Sequence, residues 1–289
     1  MNQAVIDMLA LYQIQTPEDA TNALKEIIQE IALLGLHRAD FFEKAAFYGG
    51  TALRVLYALP RFSEDLDFTL FKEDAEFSLA PYFAAVEREL ASYGFKVEVE
   101  NVEKKMKSEI ESAFIKANSK IHFLKIESLK SYEGKIQANE KLQIKFEVDT
   151  EPAIGFRFET RYLLRPTSFP IVSLKRPDLF AGKLHALLYR NWKKRIKGRD
   201  FYDYVWYLKN SIPVRLPYLR EKAIQSGHAT GDDLKTAEQL KAALLERFSN
   251  IDFEQAKDDI RPFIKDQREL KVWSRPFFEQ ITDIIQIEN

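Results

Sequence analysis

At 289 residues, 46% hydrophobic and 30% charged, the chain has the composition of one large or two ordinary soluble globular domains, not of a disordered polypeptide. With 43 basic and 44 acidic residues the formal net charge is −1, so bulk charge neither requires nor excludes a nucleic-acid partner. No cysteine is present, which excludes disulfides, thiolate zinc sites and cysteine nucleophiles; without a membrane-length apolar run or a secretory leader pattern, a soluble, cytoplasmic protein with no membrane association is expected.

In chain order, residues 17–35 read as a helix. Thr16 can cap it, Pro17 suits the first turn, Glu18 and Asp19 favour the N-terminal dipole, and Leu24, Ile27, Ile28, Ile31 and Leu34 supply the apolar stripe. A second short helix should carry Phe41, Phe42 and Ala45, and Phe47-Tyr48 then leads into Gly49-Gly50. Residues 51–58 read as a helix, 66–71 as a strand, and 79–93 as a helix closed by Gly94. Alternating apolar and charged residues predict strands over 95–102, 122–128 and 142–148, separated by lysine-rich connections near 104–107 and 130–141. Beyond Pro170 helical periods dominate, over 178–192, 200–209, 232–248, 253–265 and 276–285. The expected fold is α+β and bilobed. Residues 1–168 should form a mixed sheet with flanking helices and 169–289 a mainly helical lobe, with the boundary marked by Pro166 and Pro170.

The residues that carry chemistry begin at Gly49-Gly50-Thr51. Paired glycines ahead of a helix let backbone amides approach a phosphate, and the helix N-terminus adds partial positive charge. Asp65 and Asp67 lie two apart at a strand start, so period-two geometry turns both carboxylates to one side while Leu66 and Phe68 face the core. Two hard-oxygen donors on one face suit Mg²⁺ and a triphosphate. Ser63 can help to position a phosphate. A third carboxylate has two candidates on one face of a later strand, Glu147 and Asp149, with Lys145 beside them.

In the helical half, Lys183, Ala186, Leu187 and Arg190 fall on successive turns of the expected 178–192 helix, so Lys183 and Arg190 can share a face and meet a nucleotide phosphate together. The basic run from Lys193 to Arg199 can receive an RNA backbone or form a solvated loop. Asp200 and Asp203, three apart, can orient Lys183 or a substrate hydroxyl, and Asp200 is a natural N-cap for the next helix. His37, His122, His185 and His228 show no metal-ligand spacing and are read as structural, and the region of Trp206 and Tyr207 as core.

The stretch Phe47-Tyr48-Gly49-Gly50-Thr51-Ala52-Leu53-Arg54, followed by Arg61-Phe62-Ser63-Glu64-Asp65-Leu66-Asp67-Phe68, resembles the AbiEii/AbiGii toxin family of nucleotidyltransferases, within the DNA-polymerase-β-like superfamily. Segments 144–148, 182–187, 199–203 and 259–263 are similar to that family's later motifs, in the same order. The resemblance implies a mixed-sheet lobe and a helical lobe walling a cleft, an NTP substrate, Mg²⁺, and an RNA acceptor such as the 3′ end of tRNA. It also implies a toxin role beside a winged-helix antitoxin. On that pattern Asp65, Asp67 and Glu147 hold metal, with Glu147 the better match than Asp149; Gly49 and Gly50 hold phosphates, Lys183 binds the triphosphate and Asp203 completes the active site. Asp200 falls at a more permissive position. The alternatives are nucleotide transfer to a protein acceptor and a non-catalytic nucleotide-binding regulator.

Overall fold

The computed structural model describes residues 2–101, 110–118, 141–191 and 195–289. The expected strand at 122–128 and most of the lysine-rich connections lie outside them. The chain divides into two compact units. The first comprises Met1–Ala58, Phe62–Pro152 and Thr160–Ser173; the second comprises Leu59–Arg61, Ala153–Glu159 and Leu174–Asn289. The mixed α and β content with a helix-rich C-terminal part is that of an α+β protein.

In the first unit, α1 (Gln3–Leu9) precedes α2 (Pro17–Arg38). Thr16 and Asp19 close a capping box at the start of α2, satisfying two orphan amides there. The helix runs through Gly35, where the sequence suggested an end. A Cβ at Gly35 would lie 3.0 Å from Val86 Cα and 3.2 Å from Ala85 O, so this glycine serves close helix packing and not termination. The helix it meets is α4 (Ala80–Ser92), which Gly94 follows at φ +88° as expected of a C-terminal glycine. The expected second helix is a single 3-10 turn, Phe41–Glu43, and Ala45 instead opens β1 (Ala45–Tyr48).

The remaining strands are β2 (Leu66–Leu70), β3 (Val97–Asn101), β4 (Ile110–Asn118), β5 (Lys141–Asp149), β6 (Phe158–Leu163) and β7 (Phe169–Leu174). Among the described residues they form one sheet in the order β3-β4-β5-β2-β1-β7-β6. Its centre is set by β2, antiparallel to β1 and parallel to β5. Phe68 of β2 and Phe146 of β5 pack at 4.9 Å between ring centroids, and Phe41 meets Phe68 edge-on at 4.9 Å. Leu24, Ile27, Ile28 and Ile31 of α2 are fully buried in the same core. Burying one such side chain contributes about 1.5–3 kcal/mol, so this aromatic and aliphatic layer fixes the strand register beside it.

The second unit contains α5 (Arg176–Tyr189), α6 (Gly198–Lys209), α7 (Leu216–Gln225), α8 (Ala237–Ser249), α9 (Phe253–Ile260) and α10 (Arg275–Thr282), with β8 (Val214–Arg215) pairing parallel with β9 (Ile287–Glu288). Its core is aromatic. Phe180 stacks on Tyr207 at 4.3 Å and Phe253 on Phe278 at 4.9 Å, while the Tyr204 hydroxyl meets Thr282 Oγ1 at 2.8 Å. Tyr207 is core as expected; its neighbour Trp206 is only half-buried. Gly198 opens α6 because a Cβ there would run into the Ala256 carbonyl of α9. No described helix is long and apolar enough to cross a membrane.

Candidate active site

In the first unit, the β1 to α3 junction builds the glycine site. Helix α3 (Gly49–Tyr57) begins directly after β1, and Tyr48 provides no side-chain cap for its first amides. Gly49 adopts φ +81°, a left-handed conformation in which only glycine is unstrained. A Cβ at Gly49 would collide with the Asp67 carboxylate. Two independent constraints, backbone conformation and contact with Asp67, therefore demand glycine here. Gly50 and Thr51 are buried, and the Thr51 hydroxyl donates to the Asp65 carbonyl, so this side chain shapes the acidic loop while its amide remains in the helix's first turn.

The register places the acids. Tyr48 of β1 lies opposite Asp67, and across the parallel pair Asp67 is level with Glu147 while Thr69 is level with Asp149. Asp65, Asp67, Glu147 and Asp149 are all half-buried, and Leu66 between the first two is fully buried. Lys145 holds Glu147 at 2.5 Å, and Asp149 accepts from the Glu151 amide at 3.1 Å. Thus Glu147 is the lateral neighbour of Asp67, and Asp149 closes a turn. Among the described residues no three acidic or histidine side chains are gathered as a ready metal cage. Mg²⁺ needs no such cage, since it binds through one or two carboxylates and takes waters and substrate phosphates besides. The half-buried oxygen pair of Asp65 and Asp67 fits that demand.

Helix α2 fixes the loop that carries Asp65 and leads into β2. Gln29 Nε2 donates to the Ser63 carbonyl at 3.1 Å, and Lys25 Nζ meets Glu64 at 3.1 Å. Arg54 pairs with Glu26 at 2.7 Å and lies over the Phe62 ring at 5.0 Å. Glu30, also on α2, is fully buried and meets Arg165 at 3.3 Å. Burial, the largest influence, pushes its carboxyl up to about 7 despite Arg165.

In the second unit, the basic and acidic residues singled out in the sequence converge on one another. Arg61 grips Asp203 with two bonds of 2.6 and 2.7 Å; Arg61 is 2% exposed and Asp203 fully buried. Lys183 reaches both Asp203, at 2.8 Å, and Asp200, at 2.9 Å, and Arg190 holds the other Asp200 oxygen at 2.6 Å. Burial alone would raise both aspartates, yet the surrounding cations outweigh it and hold them below the usual carboxylate range. Burial likewise works against Arg61 and Lys183, and their aspartate partners keep both firmly protonated.

The local structure differs from the sequence reading at two points. Helix α5 stops at Tyr189, so Arg190 is its C-cap in extended conformation and shares no helical face with Lys183; the two meet at Asp200 instead. Asp200 does not cap α6. That helix begins at Gly198 after Lys197, and the Asp200 side chain is committed to Lys183 and Arg190. Within the basic run, Lys193 and Lys194 lie outside the described residues; Arg195 pairs with Asp259 and Arg199 covers Phe263. His185, next to Ser226 Oγ at 2.8 Å, is driven down to about 4 chiefly by burial and so stays neutral near pH 7.

Arg61, Gln29 and Lys25 escaped the sequence reading as individual contributors. The available signal for Arg61 was an arginine flanked by Pro60 and Phe62 together with two acids on a later aromatic helix, each needing a cation once buried. For Gln29 it was a polar residue within the apolar stripe of α2.

The model of the nucleotidyl transferase AbiEii toxin family, of type IV toxin–antitoxin systems, matches residues 31–282. A search of the curated proteins finds no match. Among solved structures, JHP933 from Helicobacter pylori is similar in fold, with a TM-score of 0.52 at 16% identity over 91% of this chain and 90% of that one. A second H. pylori crystal structure, of a protein ascribed nucleotidyltransferase activity, has a TM-score of 0.50 at 16% identity, covering 89% of this chain and 91% of the other. Identity this low speaks for the fold alone, whereas the family match spans most of the chain. The chain belongs to the AbiEii family of nucleotidyltransferase toxins.

Proposed function

We propose that the protein transfers a nucleotide from an NTP to the terminal hydroxyl of an RNA, in a Mg²⁺-dependent reaction, as the toxin of a toxin–antitoxin pair. The observation that carries this reading is the contact of Gly49 with Asp67, which joins a left-handed glycine at a helix start to an acid on β2 whose partner Asp65 precedes the strand. Amides of Gly49, Gly50 and Thr51 would hold phosphate oxygens where the helix dipole favours negative charge. Asp65 and Asp67 would hold the metal, with Glu147 the register neighbour able to join them on release from Lys145. When bound, Mg²⁺ supplies charge neutralisation on the triphosphate. The acceptor oxygen bonds to the α-phosphorus, pyrophosphate departs, and the hydroxyl proton leaves to solvent.

The buried pairings support a division of roles in the second unit. Lys183 already balances two carboxylates, and Arg61 belongs to Asp203. Of Arg61, Lys183 and Arg190, Arg190 is the most exposed, at 38%, and so the most open to a phosphate. Asp203 then acts through Arg61 and Lys183, and Asp200 orients Arg190. Ser63 contributes through its carbonyl, which shapes the loop. RNA as acceptor is supported by the resemblance of the motifs and by the basic segment ahead of α6; a winged-helix antitoxin is supported by the same likeness, and a cytoplasmic location by the cysteine-free composition.

Incubating the protein with each α-labelled NTP, total RNA and total protein tests the reading. Label should enter RNA, and Mg²⁺ chelation should stop it. Label entering protein alone would replace the RNA acceptor by a polypeptide, and no turnover of any NTP would favour a non-catalytic regulator.

A further inference from the structure

Residues 62–65, the approach to the acid pair, are held one after another by groups from outside the loop. Phe62 lies beneath the Arg54 guanidinium at 5.0 Å and stacks with Tyr12 at 6.4 Å. The Ser63 carbonyl accepts from Gln29 at 3.1 Å, Glu64 pairs with Lys25 at 3.1 Å, and the Asp65 carbonyl accepts from Thr51. Arg54 is itself fixed by Glu26, which also accepts from the Tyr12 hydroxyl at 2.8 Å. Lys25 and Gln29 stand four apart on α2 and so share one face, turned to successive residues of the loop.

Gln29 is costly where it stands. It is fully buried, and its Oε1 finds no hydrogen-bond partner among the described residues. An apolar residue of similar shape would remove this orphaned oxygen and give up the bond to the Ser63 carbonyl, so the two effects oppose and stability gives glutamine little net advantage at this position. What the amide achieves is to fix the backbone two residues before Asp65.

We propose that Gln29 and Lys25 are positioning residues for nucleotidyl transfer: from one face of α2 they hold the Ser63 carbonyl and the Glu64 carboxylate, and thereby set where Asp65 and Asp67 present their oxygens. The proposal rests on reading those two acids as the metal-holding pair. Neither Gln29 nor Lys25 touches substrate in this scheme.

Gln29→Met, Lys25→Glu, Glu64→Lys and the Lys25→Glu/Glu64→Lys double variant test it. In Gln29→Met the melting temperature should change little, because removing the orphaned amide oxygen offsets the lost bond to Ser63, while kcat falls about tenfold with KM for NTP little changed, as expected when reacting groups are misplaced by a fraction of an ångström. Mn²⁺, used as a paramagnetic probe of the acid pair, should bind more weakly, and amides of residues 63–66 should exchange hydrogen faster. Each single charge reversal should lower kcat, and the double reversal should recover most of it. Wild-type kcat and Mn²⁺ affinity in Gln29→Met would overturn the proposal, as would a kcat loss that only tracks the folded fraction, or a double reversal no better than the singles. Full transfer by Asp67→Asn would instead sink the acid-pair reading. The exchange rates at 63–66 then judge the clamp without reference to activity, and unchanged rates would refute it.

Discussion

Replacing Arg61 by methionine isolates the buried ion cluster of the second unit. The substitution keeps most of the aliphatic volume and removes the two bonds of 2.6 and 2.7 Å to a fully buried carboxylate. Removing one partner of a buried ion pair costs about 3–5 kcal/mol, because the other charge is left desolvated. Here Asp203 retains Lys183 at 2.8 Å, which places the loss at about 3 kcal/mol, the low end of that range. For domains of about 150–250 residues this lowers the melting temperature by about 6–12 °C. The pH dependence carries a sign. Asp203 in the folded protein sits below its ordinary value, so its stabilising contribution is present above the unfolded pKa of about 3.9 and is lost as pH falls through the folded value. Without Arg61 the folded value rises, and the acid limb of the stability curve should move to higher pH. Urea unfolding of both proteins between pH 3 and 8 reads both quantities. A loss below about 1 kcal/mol, the size of an exposed pair, would refute the view that this cluster is buried and coupled.

Asp67→Asn should keep the fold and lose at least about 10²-fold in kcat, the scale set by removal of one electrostatic group at a reacting centre; full activity with added Mg²⁺ would remove Asp67 from the site. Gly49→Ala meets a left-handed backbone worth about 1–2 kcal/mol of strain and displaces the Asp67 carboxylate, so transfer should fall further than stability does. An alanine variant with wild-type kcat would show that Gly49 and Asp67 are uncoupled. Glu30, raised to about 7 by burial, favours folding when protonated; its contribution is complete below the unfolded value near 4.5 and lost as pH rises through 7. That shift is worth about 3 kcal/mol, so Glu30→Gln should gain stability over wild type at pH 8 relative to pH 5, and parallel stability curves would contradict it.

The glycine and aspartate motif singled out for phosphate and metal binding was legible because its requirements are local. Gly49-Gly50 ahead of a helix and Asp65-Leu66-Asp67 entering a strand follow from backbone conformation and period-two alternation, and the structure places them at the β1 to α3 junction and the start of β2. The long helix from Pro17, the α+β class and the helix-rich C-terminal part were legible for the same reason. Residues with no periodic signature were not. Strand β4, and β6 with only one buried residue, do not announce themselves by alternation. Gly35 looked like a helix stop because a close helix crossing cannot be seen in one sequence.

Composition, spacing and local backbone preference reside in neighbouring residues, and these place the glycines, aspartates and cations proposed for phosphate and metal chemistry along the chain. Their pairing is the work of the tertiary fold. It set Asp67 level with Glu147 through strand register, bound Lys183 between Asp200 and Asp203, and brought Arg61 to Asp203 across 142 positions of sequence. It also turned one face of α2 toward the acidic loop. Such partnerships depend on burial and long-range contact, where desolvation makes a charge seek its opposite, and no local pattern encodes which opposite it will find.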